Sequence, residues 1–474
     1  MNGVRVTAGL AKVTLGRACG HAGGARRLGW WSYRPMSSVP AQESACTDFE
    51  EILTPSGGVS PLQPLPLPGP CPGEATGHPH LSCAPWVEEA LLTEARHNES
   101  EDAFVVVDLS HVEAQVGLWK SHLPRVRPFF AVKANPDPRI MAVLHSLGCG
   151  FDCASVPEVA AALKIGACPV RDIVYANPCK APSHLSQAAA DGVDLMTLDS
   201  TDEVAKIGHL HPGARCLIRL FVDDSASRCT LGNKFGAQLS DIPRLLAAAR
   251  RHGVAIDGVS FHVGSECLDP CAFTNAVGVA RHAIDVMSSF GVRSTIVDIG
   301  GGFPSNPALF APIATALSCE LDHQFPALSF PHVRFIGEPG RFLVADGVTL
   351  ATNVIGRRVV EPTVEDDEHH VMYFLNDGIY GSFNCLLHDH ATAVPRVLLQ
   401  DGRVPSQFAC PPHPSSSLWG PTCDGLDCII KDSADLPSLD VGDWLAFEGW
   451  GAYTVAAATT FNGFSVPERR YVTC

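Results

Sequence analysis

The segment Pro128-Phe129-Phe130-Ala131-Val132-Lys133-Ala134-Asn135-Pro136 decides the fold of this chain. An apolar run that ends at a lysine and meets an Asn-Pro turn predicts a buried strand with one amine at its carboxyl end. Lysines are mostly exposed, so a lysine at the end of an ordinary strand is the alternative. A buried lysine loses basicity, because burial disfavours its charged form, and it can then condense with a carbonyl group. We therefore take Lys133 as a candidate Schiff-base lysine.

Short apolar runs of the same kind recur along the chain. They are Phe129–Lys133, Gly150–Ala154, Ile173–Ala176, Leu195–Leu198, Cys216–Leu220, Val259–His262, Ile296–Ile299 and Val333–Gly337. Helix-like stretches separate many of them: Pro157–Ile165, Ser183–Ala190, Thr201–Ile207, Ile242–Arg251 and Phe273–Ser289. This alternation predicts an α/β fold, a (β/α)8 TIM-like barrel. A doubly wound open sheet is the competing architecture, but it usually has fewer strands and an early Gly-rich loop.

Polar residues or glycines follow almost every one of these runs. They are Lys133, Asp152 with Ser155, Asn177, Asp199, Arg219, His262 with Ser265, the Gly300–Gly302 triplet and Glu338. In such a barrel the carboxyl ends of the strands form one face, and that face holds the active site. For Asn177 and Asp199, a capping or loop position is a better interpretation than a catalytic role. The set as a whole predicts a site on this face.

Composition divides the chain into four parts. Residues 1–45 form a basic leader, because the first 42 residues contain five arginines and one lysine but no Asp or Glu. That composition is typical of a mitochondrial transit peptide. The alternative is a cytoplasmic protein whose leader has no targeting function. Residues 46–103 are rich in Pro and Gly and predict a linker. We expect the barrel with its leading strand at 104–347 and a mainly β domain at 348–474.

Charge and cysteine spacing exclude several classes of protein. The net charge at pH 7 is −16, which argues against nucleic acid as a partner, since phosphate backbones bind basic surfaces. No apolar run reaches the roughly 20 residues that a membrane span requires. The 18 cysteines lack the paired spacing of a zinc site, so we expect reduced thiols and no metal.

Three features match what pyridoxal phosphate needs from a protein. The amides of the Gly300–Gly302 triplet can converge on an anion, although a glycine triplet alone is more often a tight turn. Beyond it, the guanidinium of Arg341 suits a phosphate and the carboxylate of Glu338 suits a protonated ring nitrogen. With Lys133 for the aldehyde, these groups fit the cofactor. His262 could stack on the ring, and an ordinary core histidine is the alternative.

From about Phe104 to Val472 the chain resembles the eukaryotic ornithine decarboxylase family of fold-type III pyridoxal-phosphate enzymes. The matching strings are Ala131–Lys133, Gly150–Ser155, Tyr175–Lys180, Phe261–Ser265, Asp298–Pro304, Glu338–Arg341, Trp419–Asp427 and Gly451–Val455. The resemblance implies an alanine racemase-like barrel followed by a mainly β domain. It also implies a lyase that removes carbon dioxide from an L-amino acid. Ornithine, which would give putrescine for polyamine biosynthesis, is the leading substrate.

The resemblance implies a role for each matching residue. Lys133 would bind the cofactor's aldehyde, Glu338 would keep the ring nitrogen protonated, and His262 would stack on the ring. Further cofactor contacts would come from Asp152, Arg219, Ser265, Gly300, Gly301, Gly302, Pro339, Gly340, Arg341 and Tyr453. Cys423 would protonate the substrate carbon after carbon dioxide leaves.

The resemblance also implies a substrate pocket shared between two subunits. Asp389 and Asp424, with His388 beside them, would bind the substrate's distal ammonium. In this family Cys423 and Asp424 reach into the site from the partner subunit of a head-to-tail homodimer. A monomer would therefore be inactive.

Three residues depart from the family pattern around the pocket. His388 stands where the family has Tyr, Glu266 where it has Gly, and Trp450 where it has Met. Glu266 adds a charge and Trp450 adds bulk beside the cofactor, unless either is simply surface variation. The two carboxylates, Asp389 and Asp424, still favour a diamino acid, because a buried carboxylate facing an apolar side chain is costly. Lysine or a neutral amino acid such as leucine is the alternative substrate.

A binding protein is the second class of function. Antizyme inhibitors resemble ornithine decarboxylase but are catalytically idle and sequester antizyme. Because this chain keeps the cofactor residues, the enzyme is the favoured interpretation. The antizyme-facing region would be Asp191–His211, where Lys206 is the only Lys or Arg, which argues against that partner. The sequence ends without the family's C-terminal degradation tail, so we expect slower turnover in cells.

Overall fold

The computed structural model describes residues 84–98, 100–361, 369–405, 415–432 and 436–473. The leader predicted for residues 1–45 and most of the predicted linker lie outside these residues. Among the helices within them, none combines the length and the hydropathy that crossing a bilayer requires.

The strands and helices alternate through the first part of the described chain. The strands are β1 (Phe104–Asp108), β2 (Val126–Ala131), β3 (Gly150–Cys153), β4 (Ile173–Tyr175), β5 (Leu195–Leu198), β6 (Arg215–Arg219), β7 (Ser227–Cys229), β8 (Ala255–Ser260), β9 (Ser265–Cys267), β10 (Ile296–Asp298), β11 (Arg334–Gly337), β12 (Val348–Val360), β13 (His370–Leu375), β14 (Arg396–Leu399), β15 (Ser416–Trp419), β16 (Cys428–Ile430), β17 (Trp444–Phe447) and β18 (Glu468–Val472). The helices are α1 (Pro85–His97), α2 (Leu109–His122), α3 (Pro138–Ser146), α4 (Val156–Ile165), α5 (Pro169–Asp172), α6 (Pro182–Ala190), α7 (Thr201–Leu210), α8 (Ile242–His252), α9 (Pro270–Ser289), α10 (Pro307–Gln324), α11 (Arg341–Val344) and α12 (Cys385–His388).

A closed barrel of eight parallel strands confirms the predicted fold class. Its strand order is β10-β11-β2-β3-β4-β5-β6-β8, and each of the eight predicted runs contributes one strand. Apolar side chains from six strands pack inside it: Phe129, Val174, Leu195, Leu217, Ile296 and Ile336. The packed interior means that chemistry takes place at the rim rather than in a pore.

The second sheet contains strands from both ends of the described chain. Its central path is β14-β17-β12-β13-β15-β16, and β1 pairs with both β12 and β18. The strand expected to lead the barrel, β1, therefore belongs to the β domain. The sequence prediction was wrong on this point because a β-branched run does not reveal which sheet it joins.

Helix α1 lies inside the range that was predicted to be a linker. Its buried residues Val87, Leu91 and Ala95 recur every four positions and face the sheet, as an amphipathic helix requires. The side chain of Trp86 donates a hydrogen bond to Asp108 at 3.0 Å. The linker prediction is therefore wrong for these residues. The Pro-rich sequence before the helix favoured a linker, although a proline such as Pro85 is compatible with the first turn of a helix.

Candidate active site

Lys133 and Asp152 form an ion pair at the rim of the barrel. Lys133 lies in a 3₁₀ turn, Val132–Ala134, directly after β2, and its Nζ is 2.5 Å from Oδ2 of Asp152. The Asp152 side chain is fully buried, whereas 42% of the Lys133 side chain is exposed. The other carboxylate oxygen of Asp152 is buried without a hydrogen-bond partner. Among the described residues the amine is therefore both held by a carboxylate and open to an incoming group.

The basicity of Lys133 differs from the sequence expectation. Burial by itself lowers the pKa of Lys133. The negative charge of Asp152, with smaller effects from Tyr453 and Glu338, outweighs burial and raises the pKa above its ordinary value. The expected loss of basicity is therefore wrong, because the acids around the partly exposed amine raise its pKa more than burial lowers it.

A second buried acid, Asp298, lies beside Glu338 and was not assigned a role from the sequence. Its Oδ1 accepts a hydrogen bond from the Gly300 amide at 2.9 Å, and its Oδ2 is buried without a partner. Burial raises the pKa of Asp298 to about 6. Burial, and then repulsion from Asp298, raises the pKa of Glu338 well above its usual range. The pair is therefore suited to holding a proton at this end of the site, and its only sequence signal was an acid at the end of a strand.

The glycine triplet is required by close contacts with the next strand ends. A Cβ atom on Gly301 would lie 2.6 Å from the carbonyl oxygen of Glu338 and 3.1 Å from Nε2 of His262. Gly302 has φ +101°, a conformation that side chains rarely adopt. Contacts this close need residues without side chains, so the triplet is more than a tight turn.

Arg341, a predicted phosphate ligand, contacts Asp389, a predicted substrate ligand. Its Nη2 contacts the two carboxylate oxygens of Asp389 at 2.7 and 2.6 Å and Ser265 Oγ at 3.3 Å. Its Nε is buried without a hydrogen-bond partner and lies 3.7 Å from Oε2 of Glu266. The sequence assigned Arg341 and Asp389 to different ligands, and the structure places them in contact.

The remaining predicted cofactor residues surround these groups. Burial, and then the positive charge of Arg219, lowers the pKa of His262 well below its ordinary value, so its imidazole is neutral. Arg219 is buried at the end of β6. Tyr453 donates its backbone amide to Ala134 at 2.9 Å, and its ring lies 5.1 Å from the Arg341 guanidinium.

The Pro339-Gly340 step fixes the spacing between neighbouring strand ends. The Pro339 carbonyl accepts a hydrogen bond from the Ala131 amide at 3.3 Å. A Cβ atom on Gly340 would lie 3.2 Å from the Tyr453 hydroxyl. These contacts keep the Lys133 turn, the arginine and the tyrosine adjacent.

Three further predicted residues are Cys423, Asp424 and His388. Cys423 is exposed, and its amide is bonded to Asn462. Asp424 accepts a hydrogen bond from the Tyr380 hydroxyl, and His388 is exposed at the end of α12. Within the part of the chain that the structure describes, none of the three is hydrogen-bonded to the group around Lys133.

Trp450 is packed in the core of the β domain. Its ring packs against Phe383 at 4.9 Å and Phe447 at 5.6 Å between centroids. Its Nε1 donates to Ser382 at 3.0 Å, and only 4% of the residue is exposed. The alternative that Trp450 is surface variation is therefore wrong.

The residues present fit pyridoxal phosphate. An amine is exposed at the rim, and Nε of the buried Arg341 has no hydrogen-bond partner. The neutral imidazole of His262 and the acid pair Asp298–Glu338 contact the glycine triplet. This donor set supplies an aldehyde ligand, a phosphate ligand and a partner for a ring nitrogen.

Comparison with known proteins gives the same assignment. Residues 109–345 match the model of the "Pyridoxal-dependent decarboxylase, pyridoxal binding domain" family. Rat ornithine decarboxylase is 45% identical over 391 residues, which are 80% of this chain and 83% of the relative. The chain belongs to the ornithine decarboxylase family of pyridoxal-phosphate-dependent decarboxylases.

Other members of the ornithine decarboxylase family and its structural neighbours are similar over most of their length. Antizyme inhibitor 2 of Xenopus laevis is 46% identical over 384 residues, covering 79% of this chain and 82% of the relative. The crystal structure of the Paramecium bursaria Chlorella virus arginine decarboxylase bound to agmatine has a TM-score of 0.72 at 34% identity. It covers 78% of this chain and 97% of the viral chain. The similarity therefore spans the barrel and the β domain together.

Proposed function

We propose that this chain decarboxylates L-ornithine to putrescine, with pyridoxal phosphate bound at the barrel rim. The observation that carries the proposal is the convergence of Lys133, the Glu338–Asp298 pair and Arg341 with Asp389 at one end of the barrel. This arrangement provides an amine, a proton-holding acid and an anion site in a single pocket.

Each residue of the pocket contributes a defined step. When bound, the cofactor supplies an electron sink for the charge left on the substrate carbon as carbon dioxide departs. Asp152, at 2.5 Å, is the base within reach of the proton that Lys133 must lose before it reacts. Glu338 would hold a proton for the cofactor's ring nitrogen, because burial and repulsion between Glu338 and Asp298 raise the pKa of both acids. His262, whose pKa is lowered by burial, would stack on the ring as a neutral group.

The acidic end of the pocket supports a diamino acid as the substrate. Asp389 is 7% exposed, and a carboxylate buried to that extent favours a cationic partner over an apolar side chain. Ornithine is preferred because several relatives, including those of rat and fission yeast, are ornithine decarboxylases. Lysine, or a neutral amino acid such as leucine, is the alternative.

We further propose that the working unit is a homodimer with shared sites. Among the described residues, Cys423 and Asp424 share no hydrogen bond with the Lys133 group of their own chain, which supports a role for them in the site of a partner subunit. There Asp424 binds the substrate's ammonium and Cys423 protonates the substrate carbon. This assignment leaves each chain with an incomplete pocket of its own.

An antizyme inhibitor-like binding protein is the second candidate, because one close relative carries that name. The retained ion pair of Lys133 and Asp152, together with Glu338, favours the enzyme. A protein that remained colourless with pyridoxal phosphate yet bound antizyme would reverse that preference.

We propose that the protein is located in the cytoplasm. Import into mitochondria through residues 1–45 is the alternative. Fusing residues 1–45 to a fluorescent protein tests the address directly. Mitochondrial fluorescence would replace the cytoplasmic proposal.

The decisive experiment traps the cofactor on the chain. Borohydride reduction of the protein with pyridoxal phosphate, followed by peptide mapping, is expected to place the label on Lys133, and Lys133→Ala abolishes it. Carbon dioxide release is then compared for ornithine, lysine, arginine and leucine. A label elsewhere would overturn the site, and a preference for leucine would overturn the substrate.

A further inference from the structure

The guanidinium of Arg341 lies between two carboxylates. Asp389 contacts Nη2 through both of its oxygens, and Glu266 lies 3.7 Å from Nε. The side chains of these three residues are only 12%, 10% and 21% exposed. Charge-assisted contacts of this kind are strong where water is largely excluded.

The Nη2 donor of Arg341 is also what a phosphate needs. A phosphate seated between Ser265 and the glycine triplet would contact the guanidinium on the side where Nη2 reaches Ser265 at 3.3 Å. A dianion next to the Asp389 carboxylate would be repelled by it at close range. Asp389 therefore cannot keep both of its contacts with Nη2 once a phosphate binds there.

Glu266 is held in place by a different partner. Strands β7 and β9 pair antiparallel, with Cys229 opposite Ser265, which puts Arg228 directly across from Glu266. The two side chains form an ion pair at 2.8 Å. Glu266 keeps this contact although its φ of +54° is strained for a residue with a side chain. The carboxylate of Asp389 has a weaker second contact, with the Cys229 thiol at 3.8 Å. Of the two acids on Arg341, Asp389 is therefore the one that leaves more readily.

We propose that Asp389 holds the place of the cofactor's phosphate on Arg341 and is released into the substrate pocket when that phosphate binds. The proposal rests on the function proposed above and specifies how its pocket is assembled. When phosphate binds, the Asp389 carboxylate exchanges the Arg341 guanidinium for the substrate's ammonium. The anchor for a diamine therefore becomes available only when the anion site is filled.

Two binding equilibria are coupled by this exchange. Anything that occupies Arg341 frees Asp389, so phosphate strengthens the binding of a diamine. Linkage requires that the diamine strengthen the binding of phosphate by the same factor. A pocket in which Asp389 already points to the substrate would show neither effect.

The first test compares two carboxylate-to-amide variants of the full chain after removal of any bound cofactor. Inorganic phosphate is titrated calorimetrically, and pyridoxal phosphate by the absorbance of its Lys133 adduct. Asp389→Asn is expected to bind both about tenfold more tightly than the unmodified chain, or about 1.4 kcal/mol, because the competing charge is gone. Asp440→Asn, at an exposed aspartate paired with Arg357, is the control and leaves both affinities unchanged. Unchanged or weaker binding by Asp389→Asn overturns the proposal.

The second test needs no substitution in the protein. The affinity of the cofactor-stripped chain for 1,4-diaminobutane is measured with and without saturating inorganic phosphate. Phosphate is expected to raise that affinity about tenfold, and by linkage the diamine is expected to raise the affinity for phosphate by the same factor. Equal affinities overturn the exchange of Asp389. If borohydride still labels Lys133 and ornithine is still decarboxylated, that result leaves the proposed function intact.

Discussion

At the scale of single residues, acids control the chemistry of the pocket. Asp152, Asp298 and Glu338 are all at least 96% buried, close to one amine and to Arg219. Buried carboxylates this close to one another cannot all ionise without cost. The pocket therefore stores protons, and the basicity of Lys133 is a consequence of its acidic neighbours.

The buried acid pair predicts a pH dependence of folding. Burial raises the pKa of Asp298 to about 6, above its value in the unfolded chain. The protonated form is therefore favoured on folding, and its stabilisation is complete at low pH and is lost as the pH rises from about 4 to above 6. The free energy of unfolding of the cofactor-stripped chain should fall by roughly 3 kcal/mol across this window from this group.

Urea unfolding at pH 4, 5, 6 and 7 measures this slope. Asp298→Asn should flatten it, whereas Asp440→Asn, at an exposed aspartate paired with Arg357, should leave it unchanged. An identical slope in Asp298→Asn would mean that the carboxyl is ionised throughout.

At the scale of elements, the ends of parallel strands and the loops that follow them assemble the site. The β2, β3, β10 and β11 ends supply the amine and the three acids, and β7 with β9 covers the arginine. Backbone contacts fix their spacing: the Glu338 amide bonds the Gly300 carbonyl at 2.6 Å, and Cys267 bonds Gly302 at 2.9 Å. Side-chain chemistry here depends on how closely neighbouring backbones approach.

Adding one methyl group to the glycine triplet tests this dependence. In Gly301→Ala the new Cβ would lie 2.6 Å from the Glu338 carbonyl oxygen, which forces the β11 end away. The affinity for pyridoxal phosphate, measured by titration, should fall by about tenfold or more. Gly278→Ala in α9 is the control, since nothing lies within 4 Å of its Cβ, and it should leave the affinity unchanged. Equal affinities in the two variants would contradict the close-approach argument.

Helix α1 should contribute to folding as much as an internal helix. Leu91 is fully buried against the second sheet, so Leu91→Ala should lower the free energy of unfolding by about 2–5 kcal/mol. The exposed neighbour Thr93 provides the control, Thr93→Ala. If chemical denaturation finds both variants equally stable, the helix does not dock in solution.

At the scale of the whole molecule, the β domain completes the barrel's site. The Asn135 side chain bonds the Gly451 carbonyl at 2.9 Å, and the Tyr471 hydroxyl bonds Asp137 at 2.6 Å. Both tie the loop after Lys133 to the end of the chain. Asp389 and Tyr453 come from the same domain, so the pocket forms only when both domains are folded.

The proposed shared-site dimer predicts complementation between inactive variants. Lys133→Ala and Cys423→Ala should each lose most of the activity. Mixed and allowed to exchange subunits, they should recover roughly a quarter of it, because half of the dimers then contain one intact site of two. Carbon dioxide release from ornithine measures the recovery. No recovery after exchange would indicate that each site lies within one chain.

Sequence periodicity and local strings were sufficient for the barrel, its eight strands and most of the rim residues. An apolar run that ends at Lys133 or Asp152 reports burial and strand direction locally. The motif spacing also identified the family before any contact was known. The sheet to which β1 belongs and the helix at Pro85–His97 were not predicted, because strand pairing and helix docking depend on residues hundreds of positions away.

The amino-acid sequence by itself determined which chemical groups the rim would carry, since alternating strands and helices send every strand end to one face. Only the tertiary structure decided which of those groups touch. It paired Arg341 with Asp389 and Asp298 with Glu338, and it raised the pKa of Lys133 where burial alone predicts a decrease. The physical reason is that electrostatic energies depend on distances between atoms from separate elements, and the local pattern of residues does not contain those distances.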